Sequence, residues 1–258
     1  MVNGPNDIGT EGIMVFVVIF AGGTGMRMTP SDIPKQFMEL DNKPIIIRTL
    51  ENFSKHPKVD DIVIACIAGW EDELRRLIKK FKVKKVLDIV PGGETGYRSI
   101  KNGLLRVKSV TSPSDIVLIC DGVRPNISQG LITNAIACTE KHGSAVPVLQ
   151  SIDSVLISDN GKTCDRNLPR SSTYITQAPQ GYTMELIMWA HDEAEARGIP
   201  DAISSADLLI GLGKTVRMFK GERDNIKITT QEDVLALRAH YYYSHYKKFA
   251  EEEKQHGV

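Results

Sequence analysis

Between Val15 and Leu40 the chain reads V-F-V-V-I-F-A-G-G-T-G-M-R-M-T-P-S-D-I-P-K-Q-F-M-E-L. An apolar run ends in Ala21-Gly22-Gly23-Thr24-Gly25, and two cations, Arg27 and Lys35, follow it. Glycine permits the dihedrals of a tight turn and lets a ligand approach the main chain. Successive bare N–H groups in such a turn form a concavity for anions, phosphate foremost. Arg27 and Lys35 add the full positive charges that a polyphosphate requires. The pattern predicts a phosphate-handling loop, and with it a nucleotide. Met28 stands where the last glycine of G-x-G-x-x-G would fall, and G-K-[ST] is absent, so neither the dinucleotide fingerprint nor the P-loop is complete. A turn without a ligand is the alternative, and the cations close behind the loop argue against it.

A second chemical candidate is Asp121, which follows the apolar run Ile116–Cys120. A carboxylate at that edge of a sheet is a hard oxygen ligand, suited to Mg²⁺ bridging phosphates with few protein groups. Asp224 or Asn225 would be a second ligand; a turn or helix cap is the structural alternative for Asp121. The six histidines pair with no Ser or Cys in a catalytic pattern and read as structural or solvated. Cys66, Cys120, Cys138 and Cys164 show no C-x-x-C spacing and read as buried thiols of a reducing compartment. For the same reason a zinc site is not expected.

These groups need a scaffold, and the pattern supplies one. Asp61–Cys66, Lys85–Val90 and Asp115–Cys120 are short, near-continuously apolar and β-branched, as strands covered on both faces of a parallel sheet are. Helical patterns at Pro44–Phe53, Glu71–Lys80, Ser99–Leu105 and Gln129–His142 lie between them, with Gly143 suited to end the last. This alternation predicts an α/β, Rossmann-like doubly wound sheet, whose ligands bind beyond the carboxyl ends of the strands. After Pro147 the rhythm changes. Ser151–Ser158 and Thr173–Ile175 read as two extended pieces around an Asn160-Gly161 turn, a hairpin-like arm. Helices at Thr183–Arg197 and Ser205–Gly211, a strand at Thr215–Lys220 and a helix at Gln231–His245 complete the chain.

The expected organisation is a loose extension over 1–13, one domain over 14–245 with the arm at about 151–178, and a charged tail over 246–258. Lys plus Arg and Asp plus Glu each number 32, so no global charge draws the chain to nucleic acid or membrane. No segment is apolar enough to span a bilayer, and Val15–Ala21 lacks the basic residues that precede a signal-peptide core. A cytoplasmic setting is the simplest reading.

Five segments, in order, resemble the sugar- and polyol-phosphate cytidylyltransferases, which include the ribitol-5-phosphate and methylerythritol-phosphate enzymes. They are Ala21–Met28 with Pro34–Leu40; Pro91-Gly92-Gly93-Glu94 through Leu104; Asp121-Gly122-Val123-Arg124-Pro125; Asp165-Arg166-Asn167 with Gln177-Ala178-Pro179-Gln180; and Asp224–Thr229. The resemblance implies a nucleotidyltransferase sheet with a protruding β-arm. It also implies CTP and a polyol phosphate as substrates, with no covalent intermediate and no general base. Arg27 and Lys35 would hold the triphosphate, and Lys227 the α-phosphate and the incoming phosphate. Ala21, Gly22, Gly23, Thr24, Gly25, Gly93, Glu94 and Ser99 would bind the nucleotide, with Mg²⁺ at Asp121. Arg124 would help bind the polyol phosphate. Ser151 and Arg166, on an arm that crosses a two-fold interface, would reach the neighbouring site of a homodimer.

Four positions depart from the family pattern. Glu94 stands where Asp or Ala is common, Gly96 where Arg is common, and Ser151 and Ala178 where Thr is usual. The first two leave UTP open beside CTP; Ser151 keeps the hydroxyl, and Ala178 removes one from the site. Ribitol 5-phosphate is favoured as acceptor, with methylerythritol phosphate the alternative. A catalytically silent nucleotide-binding regulator is the reading from another class, and a nicotinamide dehydrogenase is disfavoured by the incomplete glycine pattern.

Overall fold

The computed structural model describes residues 12–22 and 33–256, with side chains as far as residue 243. Gly23, Thr24, Gly25 and Arg27 therefore lie outside the described residues, as does most of the 1–13 segment. In chain order the elements are β1 (Val15–Ala21), a 3-10 turn (Lys35–Phe37), β2 (Glu39–Leu40), β3 (Lys43–Pro44), α1 (Ile45–Ser54), β4 (Asp61–Cys66), α2 (Glu71–Lys80), β5 (Val86–Pro91), α3 (Gly96–Lys108), β6 (Ile116–Asp121) and α4 (Gln129–His142). There follow β7 (Ser144–Gln150), β8 (Val155–Ile157), β9 (Arg166–Leu168), β10 (Tyr174–Thr176), β11 (Gln180–Thr183), α5 (Met184–Ala196), α6 (Ser205–Gly211), β12 (Met218–Lys220) and α7 (Gln231–His256).

The main sheet has the order β10-β7-β11-β6-β1-β4-β5, with β12 on β7. Strands β5, β4, β1 and β6 run parallel, with Ala21 opposite Cys66, Cys66 opposite Pro91, and Phe20 opposite Asp121. Their carboxyl ends therefore share one edge. β11 is antiparallel to both β6 and β7, and β12 is parallel to β7. The ends of β7 and β12, and the segment leading into β11, reach the same edge. Strand order reverses between β1 and β6, and that crevice is where ligands of open α/β sheets bind.

Helices cover both faces because the central strands are apolar on both. Val17, Ile19, Ile62, Ile64 and Leu118 face α1, α2 and α4 in one core, whereas Phe16, Val18, Val63, Val117 and Ile119 face α3, α5 and α6 in the other. A smaller cluster of Leu40, Ile45, Val123, Ile228, Val234 and Leu237 fastens the start of α7 to the edge beyond β6. Gly143 ends α4 at φ +74°, as the sequence predicts.

The structure differs from the sequence reading in several places. The arm does not pair Ser151–Ser158 with Thr173–Ile175: β8 pairs with β9, and β10 joins β7 of the main sheet. The Asn160 side chain, whose Oδ1 accepts from the N–H groups of Lys162 and Thr163, closes its own local turn instead of aligning two long strands. β5 starts at Val86, not Lys85, because Lys85 has φ +61° and sends its Nζ to the carbonyls of His56 and Val59. α3 begins three residues before Ser99, where Thr95 caps it by accepting from Arg98 N. The expected tail over 246–258 is helical as far as His256, a continuation of α7. Cys66 and Cys120 are buried, but Cys138 is half-buried and Cys164 is exposed on the arm, so not all four cysteines are core residues.

Candidate active site

Asp121 closes β6 at the shared edge, and the turn after it brings Arg124 back onto it. Arg124 Nε lies 2.8 Å from Asp121 Oδ2, and Lys227 Nζ lies 2.5 Å from Asp121 Oδ1. Asp121 and Arg124 are buried, whereas Lys227 is 43% exposed. Burial alone would raise the Asp121 pKa, but the Arg124 and Lys227 charges hold its carboxyl below the ordinary carboxylate value. The carboxylate is thus ionised, and two cations against one anion leave the group with a net positive charge. Its exposed cationic member is Lys227.

Lys227 is placed from two sides. Ile228, fully buried, donates its N–H to Val123 O at 3.0 Å, which pins the segment beside the 121–125 turn. Asp233 then caps α7, its Oδ2 accepting from Thr229 N at 2.7 Å, Thr229 Oγ1 at 2.6 Å and Thr230 N at 2.8 Å. On the other side Asn225 is a hub. Its carbonyl accepts from Arg124 Nη1 at 3.0 Å, and its Nδ2 donates to Ala178 O at 2.6 Å. Gln177 and Glu222 exchange two hydrogen bonds, Nε2 to the Glu222 carbonyl and Glu222 N to Oε1. From the sequence Asn225 reads only as an alternative metal ligand beside Asp224, and Gln177 is not singled out, although both lie in segments that carry the resemblance. The Asn225 Oδ1 is buried and has no hydrogen-bond partner among the described residues. A buried acceptor left bare is costly unless something else uses it.

At the end of β1 the main chain is bare. A Cβ on Gly22 would lie 2.5 Å from Ser99 Oγ, and one on Gly92 would lie 2.8 Å from Cys66 O and 3.1 Å from Gly22 Cα. Gly22 and Gly92 therefore form a narrow slot in which the two backbones approach closely and Ser99 Oγ takes the place of a Gly22 side chain. Gln36 donates Nε2 to Ala21 O at 2.7 Å, which ties the turn carrying Lys35 to the end of β1. Ser99 is buried and its hydroxyl is engaged within the loop: it accepts from Gly93 N at 3.0 Å and donates to Thr95 O at 2.9 Å. It shapes the slot, in the region that the sequence reading assigns to the nucleotide. Glu94 is exposed.

Ser151, buried at the end of β7, donates to Asp153 O at 2.9 Å and lines a cleft of about 1070 Å³ together with Arg170, Tyr174, Lys220, Glu222 and Asp224. Arg166 is not brought to Asp121 within the chain: it lies on β9, paired with Asp159 at 2.6 Å. The structure thus gathers Ala21, Gly22, Gly93, Ser99, Asp121, Arg124 and Lys227 at one edge and leaves Arg166 on the arm. Cys66 and Cys120 are beside this edge, but burial pushes both thiols up, Cys66 to about 12, so neither serves as a nucleophile. Among the described residues no group of three or more His, Cys, Asp or Glu stands close enough to hold a metal, and no helix is long and apolar enough to cross a membrane.

Residues 15–243 match the family described as IspD: 2-C-methyl-D-erythritol 4-phosphate cytidylyltransferase. A ribitol-5-phosphate cytidylyltransferase of Vibrio parahaemolyticus is 39% identical over 226 residues, spanning 88% of this chain and 95% of that protein. A 2-C-methyl-D-erythritol 4-phosphate cytidylyltransferase of Clostridium botulinum is 33% identical over 219 residues, spanning 85% of this chain and 93% of the other. Among solved structures, the 4-diphosphocytidyl-2C-methyl-D-erythritol synthase of Anaerococcus prevotii superposes with a TM-score of 0.75 at 26% identity, covering 90% of this chain and all of that one.

Proposed function

This chain belongs to the 2-C-methyl-D-erythritol 4-phosphate cytidylyltransferase family, and on that premise we propose that it transfers a cytidylyl group from CTP to ribitol 5-phosphate. The reaction joins two anions. A phosphate monoester oxygen attacks the α-phosphorus of CTP, a new P–O bond forms, the bond to the β-phosphate oxygen breaks, and pyrophosphate leaves. The nucleophile is already ionised near neutral pH, so catalysis amounts to holding the groups in line and neutralising their charge.

The observation that carries this reading is the Asp121–Arg124–Lys227 group at the sheet edge beside the bare Gly22–Gly92 slot. Asp121 holds Lys227 at the end of β6, where it would meet the α-phosphate and the incoming phosphate. Lys35 and Arg27 would carry the β- and γ-phosphates, and the glycine slot would take the nucleotide. Ribitol 5-phosphate is supported over methylerythritol phosphate by the higher identity to the Vibrio parahaemolyticus relative over a similar span.

Mg²⁺ is part of the proposal: Asp121 would hold it with carboxylate lone pairs beyond the two already engaged, and Asn225 Oδ1, without a partner among the described residues, would be the second ligand. The ion would supply charge neutralisation on the triphosphate oxygens. A homodimer is part of the proposal: Arg166 is absent from its own chain's site, and the arm region exposes Ile152, Leu156 and Ile175 at 59%, 64% and 58%. Ser151 and Arg166 would then serve the second copy's polyol phosphate. Four free cysteines suit a reducing, cytoplasmic setting. The test is pyrophosphate release from CTP with ribitol 5-phosphate and methylerythritol phosphate in parallel.

A further inference from the structure

Asp201 belongs to none of the segments so far given a role. It lies in the connection between α5 and α6, and its carboxylate reaches across to the first turn of α3. Asp201 Oδ2 accepts from Thr95 Oγ1 at 2.5 Å and from Arg98 Nε at 3.2 Å. Thr95 is the N-cap of α3, and its Oγ accepts from Arg98 N at 3.2 Å. A hydroxyl has one proton, and here it goes to Asp201 while the lone pair takes the helix N–H. An anion at this position also meets the positive end of the helix dipole. The Thr95 hydrogen bond and Arg98 together hold the Asp201 carboxyl below the ordinary carboxylate value.

That turn is the floor of the nucleotide slot. A Cβ on Gly93 would collide with Arg98 Cβ and come within 3.0 Å of Ser99 N, so the Gly93 backbone rests directly on Arg98 and Ser99. Ser99 Oγ in turn bonds Gly93 N and faces Gly22. A continuous run of contacts therefore leads from Gly22 through Ser99, Gly93 and Arg98 to Asp201. α3 has other ties to α5: the Tyr97–His191 ring contact at 4.6 Å in the same turn, which makes no hydrogen bond to the cap, and the Lys101–Glu195 ion pair at 2.7 Å one turn further along.

We propose that Asp201 is a positioning residue for the nucleotide: acting through Thr95 and Arg98, it holds the Gly92–Gly93 backbone against Gly22 without touching the nucleotide itself. The inference rests on the reading of that slot as the CTP site. It makes a segment outside the shared edge responsible for CTP affinity and leaves the polyol phosphate half untouched.

The experiment measures steady-state pyrophosphate release by the full-length protein, with CTP and ribitol 5-phosphate varied separately. For Asp201→Ala the KM for CTP rises about tenfold, the scale of one lost charge-assisted hydrogen bond. The KM for ribitol 5-phosphate and kcat stay within about twofold, the mark of lost ground-state binding of one substrate. Asp201→Asn keeps an acceptor for Thr95 and recovers most of the affinity. Thr95→Val reproduces the CTP defect, and Glu195→Ala, which cuts only the outer tie, does not. An unchanged KM for CTP in Asp201→Ala overturns the proposal. So does a parallel rise of both KM values with a fall in melting temperature, which would make Asp201 a folding residue only. A wild-type protein that releases no pyrophosphate from CTP refutes the reading of the slot itself, which separates the two failures.

Discussion

Lys227 Nζ is seated 2.5 Å from Asp121 Oδ1, so the segment before α7 and the end of β6 meet as one charged unit. The carboxylate is buried and the ammonium half-exposed, so the pair works as an aimed cation rather than a sealed salt bridge. Lys227→Ala removes the exposed charge of the pair. Turnover is expected to fall at least about a hundredfold, the scale of one lost electrostatic donor in a transition state, with the fold intact. Steady-state kinetics beside a thermal melt checks this; an unchanged kcat would remove Lys227 from the mechanism. Lys35→Ala should behave alike.

Asp121→Asn leaves buried Arg124 without its counter-charge. Breaking a buried pair from one side costs about 3–5 kcal/mol, so denaturant unfolding should show a loss on that order. The pH dependence has a fixed sign. A carboxyl held below its unfolded value contributes stability that is present above the unfolded pKa and is lost as pH falls through the folded one. The gap in melting temperature between wild type and Asp121→Asn should therefore narrow as pH drops below about 4. A constant gap would mean that the two cations do not hold the carboxylate ionised.

His191 is the second buried titratable group. It stacks on Tyr97, neither ring nitrogen has a partner among the described residues, and burial, with the nearby Lys101 charge, lowers its pKa to about 4 from 6.5. Between these values the unfolded chain binds a proton that the native one refuses, so stability is lost as pH falls from 6.5 toward 4. The loss amounts to about 3 kcal/mol at about 1.4 kcal/mol per unit. His191→Phe keeps a ring against Tyr97 and removes both bare nitrogens. Its melting temperature should equal or exceed wild type at neutral pH and vary less with pH over that window. An unaltered acid slope would place the sensitivity elsewhere.

Gly22→Ala puts a methyl where Ser99 Oγ already is, at 2.5 Å. The neighbour is buried and hydrogen-bonded at both ends, so it cannot simply rotate away. CTP affinity should fall about tenfold or more, and Gly22→Ala with Ser99→Ala should be non-additive by about 0.5–3 kcal/mol, as for groups in contact. Additive losses would show that the two residues do not share the slot.

Much of this architecture was legible in the sequence, and the reasons are specific. The bounds of β4, α2, α4 and α6 agree with the periodicity because each buries a continuous apolar stripe and ends at a turn or cap signal. The arm was not legible: β8, β9 and β10 are three residues each, and whether β10 joins β8 or β7 depends on a distant strand. The charged residues of the site could be named from their motifs, but not who holds whom. Arg124 reads as a substrate contact, whereas its guanidinium lies on Asp121 and the Asn225 carbonyl. Ser99 reads as a nucleotide-binding residue, and the structure adds that its hydroxyl is engaged by Gly93 and Thr95. Such partnerships depend on residues far apart in the chain, which no local pattern records.

The central claim is that CTP and a polyol phosphate meet at the Asp121–Lys227 edge. The most direct measurement is pyrophosphate release by the purified protein with CTP and Mg²⁺, comparing ribitol 5-phosphate with methylerythritol phosphate and with neither. The account predicts release with ribitol 5-phosphate, little with methylerythritol phosphate, and none without an acceptor. Release with methylerythritol phosphate alone would contradict the choice of substrate, and no release with either would contradict the reaction itself.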